Sequence, residues 1–311
     1  VIAANPTISH TAVAPAKLNL SFRVLGRRAD GYHEIESLVA FAALADTLTA
    51  VRSRNRDPAL VVGGPCAAGV SADASNLVLR AVAAACEVFA QPLPDLRWQL
   101  VKHVPAAAGL GGGSGDAGAA LRLLARQWQL DPADPRWDGI AGRLGADVPV
   151  CRQGAARFVT GTGTTLHTPI RLPPLGVLLV NPLISQPTPA VFAARTGPFT
   201  TARRHSFCGL APSAPALLDW LGADENGLTA AAISLVPEIN DILAVLRGLP
   251  GCRLARMSGS GASCFGLFDH PVDALQHCGW LSLANPSWWV WAGALISQSR
   301  HDQHDRADPR P

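Results

Sequence analysis

Between residues 104 and 119 the chain reads VPAAAGLGGGSGDAGA, and this stretch constrains the fold more than any other. Five of the seven residues from Gly109 to Gly115 are glycine, with Leu110 and Ser114 between them. Before it, Leu96–His103 alternates polar and apolar residues as a half-buried strand does. After it, residues 116–130 carry Ala and Leu at helical spacing. One or two glycines would suit a flexible loop or a tight strand-to-helix turn. Five glycines and a serine between a strand and a helix instead suit a cradle of backbone N–H groups around a phosphate. The helix N-terminus adds partial positive charge there.

Several known cradles do not fit. A Walker loop needs Lys-Ser or Lys-Thr after the glycines, and here Gly113-Ser114-Gly115-Asp116 follows. A dinucleotide fingerprint needs a third Gly or Ala where Ser114 stands, and an acid ending a strand some 20 residues later. The protein-kinase signatures are missing from the chain. Composition narrows the class further. With 311 residues, 48% hydrophobic and 16% charged, the chain can fill the cores of one large domain or two. A net charge of +3 gives no argument for nucleic acid or an anionic membrane as partner. No apolar run approaches a membrane span, and no basic-then-apolar leader is read, so a cytoplasmic protein is the expectation. The seven cysteines are scattered without a Cys-x-x-Cys pair and read as reduced thiols rather than metal ligands. No metal-ligand set is read, and nothing speaks to oligomeric state.

Along the chain, residues 1–14 read as a frayed lead-in. Ala16–Leu25 alternates, with Lys17, Asn19, Ser21 and Arg23 on one face and Leu18, Leu20, Phe22 and Val24 on the other. Lys17 on such a face is either solvated or lines a cleft. Asp30-Gly31 marks a turn, followed by Tyr32 and His33, which either stack on a flat heterocycle or are a packed turn tyrosine and an exposed histidine. Short strands are read at 48–52 and 60–62, and a helix capped by Ser75-Asn76 runs to about Phe89. A helix over 132–144, with Trp137 and Ile140 inward, closes at Gly145 in a left-handed cap. Asp147 then enters an apolar strand, either as a turn former or as a functional carboxylate. Residues 155–168 read as a hairpin around Gly161-Thr162-Gly163, and Leu175–Val180 as a buried strand. Thr188 caps a helix with Pro189 in its first turn. Residues 198–215 are irregular, helices cover 214–221 and 228–249 with a break near Pro237, and residues 253–268 form strand, glycine loop and strand. That second loop, Gly259–Ala262, is either a hairpin turn or a wall laid against the first loop. Trp288, Trp289 and Trp291 fall in a last strand, and 301–311 in a disordered tail.

Four segments, in order, carry a resemblance: Pro15-Ala-Lys17-Leu-Asn19-Leu, Arg28-Ala-Asp-Gly-Tyr32-His33, the glycine loop, and Leu144-Gly-Ala-Asp147-Val-Pro-Val. Pro187-Thr188-Pro-x-Val-Phe192 and Met257-Ser-Gly-Ser-Gly-Ala262 extend it. Over roughly residues 14–295 the chain closely resembles the 4-diphosphocytidyl-2-C-methyl-D-erythritol kinases, one family among the small-molecule kinases named for galactose, homoserine, mevalonate and phosphomevalonate. The resemblance implies an α+β, two-domain kinase fold with the active site in the cleft between domains. The proline-rich stretch Thr168–Pro174 sets the expected boundary between an N-terminal ATP-binding domain over 1–170 and a C-terminal domain over 171–300.

The implied reaction moves the γ-phosphoryl of ATP to the 2-hydroxyl of the cytidyl substrate with Mg²⁺, in non-mevalonate isoprenoid synthesis. Lys17 and Asp147 are the implied catalytic pair. The implied ATP loop is Pro105, Ala106, Ala107, Ala108, Gly109, Leu110, Gly111, Gly112, Gly113, Ser114 and Gly115. Asn19, Tyr32, His33, Thr188 and Phe192 fall on the substrate side, Tyr32 and His33 toward cytosine. The chain departs from the family at Ser114-Gly115-Asp116, where Ser-Ser or Ser-Ala-Asp is common. Ser114 is thus the only loop hydroxyl. Two rivals stand beside this reading: another kinase of the same superfamily, and a nucleotide-binding module without turnover.

Overall fold

The computed structural model describes residues 9–53, 59–203 and 207–297. The strands in chain order are β1 (Ser9–Asn19), β2 (Arg23–Arg27), β3 (His33–Arg52), β4 (Leu60–Gly63), β5 (Leu96–Val101), β6 (Arg157–Gly161), β7 (Thr165–Pro169), β8 (Gly176–Asn181), β9 (Leu254–Met257), β10 (Cys264–Phe268) and β11 (Trp289–Ala294). The helices are α1 (Leu77–Phe89), α2 (Gly112–Gln127), α3 (Pro135–Leu144), α4 (Val148–Gln153), α5 (Thr188–Ala194), α6 (Ala214–Gly222), α7 (Thr229–Leu235), α8 (Glu238–Gly248) and α9 (Pro271–Ala284). Among the described residues no helix is long and apolar enough to cross a membrane. The expected tail at 301–311 lies outside the described residues.

The chain divides into two compact units, and neither is one stretch of sequence. The first takes 9–15, 45–106 and 112–152 of the described residues; the second takes 16–44, 107–111 and those from 153 onward. The expected division at residue 170 is a single cut and so follows a different line. β1 and β3 each contribute to both units, and so does the glycine stretch.

In the first unit, Thr47–Arg52 of β3 pairs antiparallel with β5, and β4 pairs parallel with β5. Leu48, Ala50, Leu60, Trp98 and Leu100 of these strands share a core with the inner faces of three helices. α1 supplies Val78, Ala81, Val82 and Ala85, α2 supplies Ala117, Ala120, Leu121 and Leu124, and α3 supplies Trp137 and Ile140. Burying such side chains is the main favourable term in forming the unit. Asn76 caps α1, its side chain accepting from the Val78 N–H at 2.9 Å. Gly118 lets α2 run close to α4, because a Cβ there would stand 2.8 Å from the Arg152 nitrogen.

The second unit contains an antiparallel sheet in the order β11-β8-β10-β9. β8 and β10 are buried along their whole length, which explains their continuous apolar sequence. Ile239, Ile242, Leu243 and Leu246 of α8 share a core with Leu178 and Val180 of β8. In the same unit, the first half of β3 pairs with β2 and β6, and β6 with β7.

Several expectations need correction. Residues 9–14 belong to β1 rather than to a frayed lead-in; residues 1–8 lie outside the described ones. The strand read over 16–25 is two strands, β1 and β2, broken at 20–22. β3 runs for 20 residues, far beyond the short strand read at its end, because its buried centre shows no alternation. Gly145 has φ 161°, which is extended rather than left-handed, although its N–H still donates to Ala141 O. The residues after Asp147 form the short helix α4 instead of a strand. Thr188 is the first residue of α5 and Pro187 precedes it as the cap position, so the threonine hydroxyl is not a cap.

Candidate active site

The glycine stretch is shared between the units, and each part has a distinct conformation. Pro105, Ala106 and Gly112–Gly115 belong to the first unit, Ala107–Gly111 to the second. Ala107, Gly109 and Gly111 have φ of 55°, 74° and 66°, a left-handed path that turns the chain before α2 begins at Gly112. At Gly109 and Gly111 glycine adopts this without a Cβ penalty; at Ala107 the backbone carries strain. α2 therefore starts inside the glycine run, four residues before the alanine pattern announces it. Its first-turn N–H groups have no partner within the helix, which makes that turn an anion-accepting end. Ser114 is half-buried in this turn. Gly115 is buried against Ala14, where a Cβ would stand 3.3 Å from the alanine methyl. The departure from Ser-Ser thus sits at a tightly packed position.

In the second unit, the two glycine loops lie against each other. A Cβ on Gly109 would fall 2.2 Å from Gly261 O. Asn181 ties them, its amide donating to Ala108 O at 3.3 Å and to Ser263 Oγ at 2.8 Å. Of the two readings of Gly259–Ala262, the wall against the first loop is therefore the one the structure adopts, within a β9–β10 hairpin. Asn226 supports the wall by donating to Met257 O at 2.8 Å and Gly259 O at 2.7 Å. Neither asparagine stands out in the sequence, since buried amides that serve backbone carbonyls leave no spacing signal.

The polar face of β1 turns inward. Lys17 is only 4% exposed, and its backbone N–H donates to Leu110 O at 2.8 Å, fastening the strand to the loop. Asn19 is buried as well. Its N–H donates to Ser258 Oγ at 3.0 Å and its amide to Ser37 Oγ at 2.7 Å, while its side-chain oxygen has no partner among the described residues. Gly259 faces that oxygen, at 2.8 Å from where a Cβ would be. Thr188 pairs its hydroxyl with Ser260 of the second loop at 2.8 Å. Lys17, Asn19, Thr188, residues 107–111 of the first loop and the second loop are thus brought together in the second unit.

His33 stacks on Phe192, with ring centroids 4.7 Å apart and planes 23° from parallel. Desolvation, then the positive charges of Arg27 and Arg195, push the imidazole below its usual pKa. The ring is therefore neutral at neutral pH, with one donor and one acceptor nitrogen. Tyr32 is 67% exposed and stacks on none of the rings that pair with His33; its N–H closes a turn on Asp30 Oδ1 at 3.1 Å. The rings expected on the cytosine side are Tyr32 and His33; the stacking observed is of His33 on Phe192. Asp147 belongs to the first unit and Lys17 to the second. Asp147 is half-buried before α4, its carbonyl accepting from the Cys151 N–H at 3.1 Å.

A cluster that the sequence reading passed over lies below the start of α2. Lys102 Nζ donates to Asp46 and, at 2.7 Å, to Asp116 Oδ2, and all three side chains are buried. Asp46 Oδ1 also accepts from the His103 and Val104 N–H groups at 2.6 and 2.9 Å. Burial, reinforced by Asp46, raises the Asp116 carboxyl well above the usual carboxylate range, with Lys102 opposing. A signal existed: Asp46 is a lone acid in the long apolar run that became β3.

Two family models match the chain: GHMP kinases N terminal domain over residues 76–155, and GHMP kinases C terminal over 213–277. A 4-diphosphocytidyl-2-C-methyl-D-erythritol kinase of Rhodopseudomonas palustris is 44% identical over 293 residues, 91% of this chain and 97% of that protein. A relative so named from Gluconacetobacter diazotrophicus is 45% identical over 289 residues, 91% and 93% of the two chains. A crystal structure of a 4-(cytidine 5'-diphospho)-2C-methyl-D-erythritol kinase superposes with TM-score 0.70 at 33% identity, covering 92% of this chain and 99% of that one. A homoserine kinase from Cytophaga hutchinsonii shares the fold, with TM-score 0.62 at 14% identity over 96% and 98% of the chains. On this nearly full-length match to relatives at 44–45% identity, this chain belongs to the 4-diphosphocytidyl-2-C-methyl-D-erythritol kinase family, ATP-dependent enzymes of the two-domain α+β GHMP kinase fold.

Proposed function

We propose that this protein transfers the γ-phosphoryl group of ATP to the 2-hydroxyl of 4-diphosphocytidyl-2-C-methyl-D-erythritol. The observation that carries the reading is the near-full-length match to relatives of that name, joined to a glycine loop built to receive phosphate. Residues 105–115 hold ATP: the N–H groups of the first turn of α2 meet the phosphates, and the second loop backs the segment 107–111. Lys17 and Asp147 act as one catalytic pair. The Asp147 carboxylate accepts or orients the proton of the 2-hydroxyl. The oxygen attacks the γ-phosphorus, the bond to the β–γ bridging oxygen breaks, and ADP leaves. Lys17 offsets charge that builds on the transferring group. Phosphoryl transfer asks the protein mainly for such positioning and charge neutralisation.

On the acceptor side, Asn19 and Thr188 face the polyol, while His33 and Phe192 receive the cytosine ring, with Tyr32 at its open edge. The partnerless oxygen of Asn19 supports this, because a buried acceptor calls for a donor such as a substrate hydroxyl. Mg²⁺ fits a lean donor set. Such ions are held by phosphate oxygens, waters and one or two protein groups, and the half-buried Ser114 hydroxyl in the first turn of α2 would be the loop's ligand to it. When bound, the ion neutralises charge on the phosphates. Seven free cysteines support work in a reducing compartment such as the cytoplasm. The test is ATP turnover with the cytidyl substrate, without it, and with homoserine or mevalonate in its place. Turnover is expected only with the cytidyl compound.

A further inference from the structure

The buried Lys102–Asp46–Asp116 cluster has no part in the chemistry above, yet it joins three elements at the base of the ATP loop. Asp46 comes from β3, Lys102 follows β5, and Asp116 lies near the start of α2. The lysine is fixed along its backbone too: its N–H donates to Gly63 O at 2.8 Å and its carbonyl accepts from the Cys66 N–H at 3.1 Å. Its ammonium stands 3.2 Å from where a Cβ on Gly112 would be, directly under the first residue of α2. Asp46 meanwhile holds the two N–H groups that lead into the loop, those of His103 and Val104.

Such a cluster is a costly way to gain stability, since well-packed apolar residues of similar volume often do as well or better. Its position suggests another use. A lysine held between Asp46 and Asp116 pins the first turn of α2 to the strand end that leads into the loop.

We propose that Lys102, clamped by Asp46 and Asp116, is a positioning residue for ATP: it fixes the first turn of α2 against the strand end that leads into the loop. The proposal rests on the reading of residues 105–115 as the ATP loop. Lys102 is buried beneath the turn with its ammonium held by Asp46 and Asp116, so its loss is expected to act on ATP and leave the cytidyl side alone.

The test compares Lys102→Met, Asp116→Leu and Asp116→Asn, with folding checked by near-ultraviolet circular dichroism. For each, KM is measured for both substrates, and Kd for ATP by calorimetry without the cytidyl substrate. Lys102→Met and Asp116→Leu are expected to raise KM and Kd for ATP about tenfold or more, with KM for the cytidyl substrate within about twofold of wild type. Asp116→Asn keeps an oxygen for the ammonium and is expected to stay within about threefold for ATP. Should Lys102→Met fail to fold, the contrast between the two Asp116 variants decides. A folded Lys102→Met or Asp116→Leu protein with wild-type ATP affinity overturns the proposal. So does a parallel rise in KM for both substrates, or an Asp116→Asn protein as impaired as Asp116→Leu. If the wild type binds ATP without phosphorylating the cytidyl compound, the proposed function fails while the calorimetric comparison still judges Lys102.

Discussion

Asp147 and Lys17 are the residues on which the proposed chemistry turns. Asp147→Asn keeps the shape and removes the charge, so kcat is expected to fall about 10²–10⁴-fold, with ATP affinity little changed. Lys17→Met should also lower kcat. On the proposal that the two act together, the double variant should be far less impaired than the product of the singles. Steady-state kinetics on the four proteins measures this; a folded Asp147→Asn enzyme with near-normal kcat ends the assignment. His33 supports a second expectation. Neutral and stacked on Phe192, it would offer cytosine, in the proposed role, a donor, an acceptor and a flat face. The uridyl analogue should be a much poorer substrate, since a site built on such hydrogen bonds rejects a base that leaves them unpaired. His33→Ala should narrow that gap. With its pKa below the usual 6.5, the imidazole gains a proton only in mild acid. KM for the cytidyl substrate should therefore be flat from about pH 7 to 8 and rise below the ordinary imidazole range. Equal use of both nucleotides by the wild type contradicts this role.

The glycine stretch shows at the element scale what the sequence can and cannot carry. Its position between strand and helix was legible because Leu96–His103 alternates and the residues after Asp116 keep a helical period. The onset of α2 at Gly112 was not, since glycines inside a helix erase the signal that would mark its start. β3 was read only at its end, where half-burial restores alternation. α9 was missed for the opposite reason: Val272, Leu275, Trp280 and Leu283 are all exposed, so no apolar face contrasts with a polar one. The candidate site divides in the same way. Lys17, Asn19, Thr188 and the loop are recognisable as motif members. Asn181, Asn226 and the Lys102 cluster are single polar residues whose partners are distant in sequence and meet only through the fold. The loop itself allows a direct test. A Cβ at Gly112 would meet Lys102 Nζ at 3.2 Å and Val104 Cγ1 at 3.4 Å, and larger branches would crowd the N–H groups. Gly112→Val should weaken ATP binding more than cytidyl-substrate binding, as titration calorimetry of each ligand would show. Equal losses with a lowered Tm would make the run a structural turn.

At the scale of the molecule, two units assembled from interleaved stretches of chain explain why a linear reading places its boundary elsewhere. β1, β3 and the glycine stretch each serve both units, and no composition shift marks where a strand passes from one to the other. The motif order survives this interleaving, which is why four short segments were enough to suggest a family that the full-length relatives then establish. The most direct test of the central claim is the stoichiometry of one reaction. Purified protein, ATP and 4-diphosphocytidyl-2-C-methyl-D-erythritol are incubated with Mg²⁺, and ADP and the phosphorylated cytidyl product are quantified by phosphorus NMR. The expected result is one ADP per phosphate ester formed at the 2-position, with no ADP above background when homoserine, mevalonate or no acceptor is supplied. ADP released without the cytidyl substrate, an ester at another position, or faster turnover of homoserine or mevalonate would contradict the account.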